Sequence, residues 1–110
     1  MRKLIRTDNT ETDFPDPLSM EQVRKLLDTD SLDFVSLHSM GRPLHVMAVD
    51  DSGWETEVVE LAPGHIELKP IRARKPVNVW ATNLYLANCI PGTTHQIVGD
   101  VLIMPDSDAA

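Results

Sequence analysis

The stretch Lys75–Ile103, KPVNVWATNLYLANCIPGTTHQIVGDVLI, decides how this chain is read. Asn78 can accept from the first free amides of a helix, and the apolar run behind it predicts a helix over about 79–88. Its buried side is expected to carry Trp80, Ala81, Leu84 and Ala87 or Asn88. Pro91-Gly92 ends that helix. A polar step, Thr93-Thr94-His95-Gln96, leads into a strand over 96–103. Ile97, Val101 and Ile103 fall on one side of it, Val98 and Leu102 on the other. A strand apolar on both sides belongs inside a sheet. Gly99 within it marks a bulge or the close approach of another part of the chain.

Upstream, 65–69 reads as a short strand, and Pro70–Pro76 as an irregular cationic loop bracketed by prolines. Trp54–Leu61 and Leu44–Val49 are strands joined by the turn Asp50-Asp51-Ser52-Gly53. Leu32–Leu37 is another. Together they imply an antiparallel meander rather than crossover units. Ser19 is a helix N-cap with Gln22 three residues on, and Leu18 and Val23 stand at the two positions of a hydrophobic staple. Met20, Val23, Leu26 and Leu27 make one apolar stripe, so a helix is expected over about 20–28. Lys3–Arg6 and Glu11–Phe14 are short strand candidates around the turn Thr7–Thr10.

The sum is a single α+β domain over 1–104: a mostly antiparallel sheet with two helices packed on one face. Residues 105–110 are expected to form an acidic, flexible tail. A chain of 110 residues holds one core. Its apolar runs are too short to span a membrane, and Met1–Arg6, with charge on both sides of one short apolar pair, is not expected to act as a signal peptide. One cysteine excludes a disulfide framework and a cysteine-based zinc site. The expected address is the cytoplasm.

A formal net charge of −7 argues against direct nucleic-acid binding, because phosphate attraction needs a basic surface. Thirteen of the seventeen acids lie between Asp8 and Glu60, while Lys69, Arg72, Arg74 and Lys75 fall close together. That contrast predicts an acidic body with one cationic patch, which a solvated loop also explains.

Few groupings carry chemistry. His38 and His45 can face each other across a hairpin, but no third metal ligand accompanies them. Cys89 and His95 flank the Pro-Gly turn, with Asn88 or Asp100 available to orient the imidazole. An isolated cysteine more often packs as a small hydrophobe. Arg72, Arg74 and Lys75 before the helix, with Thr93, Thr94, His95 and Gln96 after it, can bind an anionic ligand if the fold brings them together. No cofactor is implied.

The segments Lys75–Asn78, Ala81-Thr82, Leu84-Tyr85 and Pro91–Asp100 together resemble a group of short uncharacterised bacterial proteins. Arg42–Met47, Asp50-Asp51 and Gly53 add to the likeness. The group, a domain of unknown function, occurs on plasmids, integrated elements and phages. The resemblance implies context: an accessory protein of a mobile genetic element. It supplies no catalytic residue. The expected role is therefore non-enzymatic, binding a protein partner such as a host or defence component, with self-association into a homodimer as one form of it. A small-ligand or nucleotide-binding module is the alternative, and the placement of the two polar flanks decides how far it goes.

Overall fold

A computed structural model describes residues 2–88 and 95–109, the side chains of Thr56 and Leu68 excepted. Five strands make the main sheet: β1 (Lys3–Ile5), β2 (Glu11–Asp13), β3 (Leu32–Ser36), β4 (His45–Asp50) and, counted last along the chain, β7 (Val101–Pro105). Their order is β2-β1-β7-β4-β3, and every pairing is antiparallel. Two more strands, β5 (Trp54–Ala62) and β6 (His65–Ala73), pair only with each other. The helices are α1 (Met20–Leu27) and α2 (Val79–Ala87). The α+β class, mostly sheet, is what the sequence predicts.

The apolar strand near the C-terminus does lie inside the sheet, between β1 and β4. Its alternation explains where the helices go. Val101 and Ile103 join Ile5, Met47 and Val49 on one face, where α2 inserts Ala81. Leu102 and Met104 join Leu4, Val46 and Ala48 on the other, where α1 inserts Val23 and Leu27. The two helices thus cover opposite faces, not one face as expected. A sheet whose central strands are apolar on both sides must be covered on both. Fully buried Leu102 and Ile103 each contribute roughly 1.5–3 kcal/mol by removal from water.

Helix α1 starts where its signals put it. Ser19 Oγ accepts from Gln22 N, and Gln22 Oε1 accepts from Ser19 N, a closed capping box. Asn78 caps α2, its Oδ1 accepting from Ala81 N at 3.0 Å. Its Nδ2 also donates to Ile5 O and Gly99 O, so this fully buried amide ties α2 to β1 and to the turn before β7. Trp80 is turned outward and 43% exposed, while Ala81 and Thr82 are buried. Apolar residues surround α2, so periodicity cannot fix which face goes in.

Four features differ from expectation. The meander breaks after β4, because β3 and β7 occupy both of its edges and leave β5 none to pair with. Strand β6 runs through Pro70 to Ala73, where a cationic loop is expected. Proline is tolerated on an edge strand, and a register shift beside it absorbs Ile71. The C-terminal segment is pinned rather than loose. Pro105 pairs with His45 in β7, Asp106 N donates to Leu44 O, and Asp108 forms an ion pair with Arg2 at 2.6 Å. Strand β7 begins only at Val101; before it, Val98 makes a single bridge to Val77, and Gly99 adopts φ +77°. There Gly99 N donates to Pro76 O, and a Cβ would lie 2.9 Å from Lys75 Cδ. This is the close approach that the glycine announces.

Candidate functional site

Among the described residues of the two polar flanks, Arg72, Arg74 and Lys75 do not join His95 and Gln96 in one patch. Arg72 lies on β6 and pairs across the ladder with Glu55, Nη2 to Oε1 at 2.7 Å. Arg74 follows β6 with an exposed side chain, its backbone N donating to Gly53 O. Lys75 points the other way, into the body. Its Nζ sits 2.7 Å from Asp50 Oδ2 and donates to Leu27 O and Asp28 O at the C-terminus of α1. Those are carbonyls the helix cannot satisfy itself. Thr93, Thr94 and Cys89 lie outside the described residues.

Asp50 is the centre of that arrangement. Its side chain is 3% exposed, Oδ1 accepts from Thr29 Oγ1, Ser52 N and Ser52 Oγ, and Oδ2 meets Lys75. Burial pushes the carboxyl pKa up, but hydrogen bonds from Lys75, Thr29 and Ser52 outweigh it and hold the group down at about 2. The charge is thus kept and paired. It joins α1, β4, the turn into β5 and the segment before α2, a structural role for the lysine that the sequence places in a cationic loop.

His95 and Gln96 do reach a cleft, of about 250 Å³, at the base of the β5–β6 hairpin. Trp54 Nε1 donates to Gln96 O at 3.2 Å, which fixes the indole. The His95 ring lies 6.0 Å from that of Trp54, tilted by 48°, and 5.8 Å edge-on from that of Tyr85. Asp33, Asp50 and Asp51 complete the polar lining, and no lysine or arginine is among the lining residues. Three rings and three carboxylates thus stand where sequence reasoning looks for a phosphate-binding surface. The signal was present as Trp54 and Asp50-Asp51, but nothing local links it to His95, more than forty residues on.

The other sequence candidates are engaged elsewhere. Asp100 accepts from Thr7 N, and Asn88 bonds Ser39 through both ends of its amide. His45 Nδ1 lies 2.9 Å from Pro43 O. Among the described residues no group of three or more His, Cys, Asp or Glu side chains could hold a metal ion. No described helix is long and apolar enough to cross a membrane.

The hairpin itself is the second feature. No described side chain of β5 or β6 is buried, although each strand has nine residues. The register sorts their positions into two faces. Glu55 opposite Arg72, Glu57 opposite Lys69 and Val59 opposite Glu67 share one; Thr56 opposite Pro70, Val58 opposite Leu68 and Glu60 opposite Ile66 share the other. Val58 and Ile66 on that second face are each 65% exposed. Leu61 and Ile71, at the two register shifts, are exposed as well.

Comparison with protein-family models, curated proteins and solved structures finds no match to this chain.

Proposed function

We propose that this chain is a non-enzymatic binding protein that acts on a protein partner, engaged through the apolar face of the β5–β6 hairpin. The observation that carries this reading is the uncovered face holding Val58 and Ile66, on a ribbon that buries none of its described side chains. A two-stranded hairpin is marginal in water by itself, and a third element over its apolar face supplies what it lacks. The opposite face is mainly charged: Glu55 pairs with Arg72 across the strands, and Glu57 stands opposite Lys69. The resemblance adds the setting: an accessory of a mobile genetic element in a bacterial cytoplasm, its partner a host or defence component. The ligand-binding alternative is weaker. The cleft that His95 and Gln96 reach is lined by Asp33, Asp50 and Asp51. Its carboxylates repel phosphate, and Arg72, Arg74 and Lys75 do not line it.

A photoreactive phenylalanine analogue placed in living cells at position 58 or 66 tests the proposal. The expected result is one discrete heterologous adduct from either position and none from position 57 on the charged face. Equal labelling from both faces, or none from either, overturns it.

A further inference from the structure

Resting on that reading, we infer that the cleft at the hairpin base receives a cationic side chain, arginine or lysine, presented by the partner. Lys75 already neutralises Asp50, so the acids left over in the cleft are Asp33 and Asp51, both on exposed residues. Asp33 Oδ1 accepts from Phe34 N at 2.9 Å, which holds that carboxylate in place. With no lysine or arginine in the lining, the charge of these two acids is unanswered from within the cleft. Bare carboxylates on a surface hold cations weakly. Here the rings add a second attraction. Trp54 has given its one polar hydrogen to Gln96 O, so an aromatic wall with a fixed orientation remains beside the acids. Tyr85 extends that wall past His95. Val35, Val49 and Val98 supply apolar surface for the methylene stem of a long cationic side chain. A second hollow of about 260 Å³, lined by Trp54, Pro70, His95 and Gln96, continues the cleft toward the hairpin.

Position also supports the assignment. Trp54 begins β5, so a partner lying along the hairpin reaches the cleft without leaving that strand. A segment with apolar residues beside one cation matches both surfaces. A net charge of −7 attracts such a segment before contact.

The test uses the isolated chain, ¹⁵N-labelled, and follows the indole resonance of Trp54 while N-acetyl-arginine amide or N-acetyl-lysine amide is added. Trp80 does not line the cleft and serves as the internal reference. Saturable movement of the Trp54 signal, half complete at millimolar concentration (~4 kcal/mol of binding), is expected for the cationic amides. N-acetyl-citrulline amide, the neutral isostere of the arginine probe, should bind at least tenfold more weakly. Asp51→Asn should weaken the arginine amide threefold or more, and added salt should weaken it further. Equal binding of the arginine and citrulline probes, or no saturation by either cation, overturns the inference. So does spermine binding a hundredfold more tightly than both amides, which would assign the cleft to a free polyamine. The hairpin labelling experiment uses positions 58 and 66, neither of which lines the cleft. A flat titration beside a positive hairpin adduct therefore removes the cleft inference alone, and the reverse result removes the hairpin partner while leaving the cleft its affinity for a cation.

Discussion

The five-stranded sheet and the β5–β6 hairpin are built from similar lengths of chain, yet they solve opposite problems. In the sheet, β4 and β7 are buried on both faces, α1 covers one side and α2 the other. In the hairpin, strands nearly twice as long as most in the sheet bury no described side chain at all. The molecule is elongated, 51 Å along its longest axis against 28 and 27 Å across. The difference teaches where stability and function separate. Core burial and buried hydrogen bonds hold the sheet together from within the chain. The hairpin keeps apolar surface that its own chain does not cover, which is the property of a contact surface.

If that division holds, substitutions should fall into two groups, and the largest effect belongs to a residue that joins elements of the body. Lys75→Met leaves the Asp50 carboxylate buried beside an apolar stem and frees two carbonyls at the end of α1. The expected cost is about 3–5 kcal/mol, read from urea unfolding, since breaking one side of a buried pair strands the other charge. A loss below about 1 kcal/mol would show the network to be dispensable. Next comes Leu102→Ala in the central strand, expected to cost about 3 kcal/mol through lost burial and an unfilled space between the sheet and α1.

Acid should probe the same network with a smaller effect. The folded-state pKa of Asp50 is lowered from 3.8 to about 2. Between those values the unfolded chain holds more protons than the folded one, so stability rises with pH there. The contribution, about 2 kcal/mol, is complete above pH 4 and lost as pH falls through 2. Unfolding free energies measured from pH 2 to pH 5 should show this slope in the native chain. In Asp50→Asn the slope should be reduced by that amount; an unchanged slope would assign it to other carboxylates.

What the sequence revealed and what it hid follow the same line between local and distant causes. The capping box of Ser19 and Gln22 and the Asn78 cap were legible because partner and signal lie within one turn. The interior position of β7 was legible because both of its sides are apolar. The role of Lys75 was not, since its partner Asp50 stands twenty-five residues away and a local charge count sees only neighbouring cations. The cleft was hidden for the same reason: Trp54, Tyr85 and His95 meet only through the fold. The length of β6 was hidden by Pro70, which reads as a stop but sits beside a register shift on an edge strand. The face of α2 was hidden because apolar residues fall on most sides of the helix and a polar one, Thr82, faces inward, leaving Trp80 no phase to follow.

The smallest expected stability change is the sharpest test of the contrast. Ile66→Lys adds a charge to the apolar face, at a side chain already 65% exposed. Replacing so exposed a residue leaves almost no cavity and buries no charge, so unfolding free energy should move by less than about 0.5 kcal/mol. The same substitution in Met47, buried in the sheet, would place an unpaired ammonium in the core. If Ile66→Lys is silent in urea yet abolishes the adduct formed from position 58, the hairpin face serves a partner rather than the fold. If instead it costs several kcal/mol, that face is a structural part of the single chain. The division between body and arm then fails, and with it the reason to place binding on the hairpin.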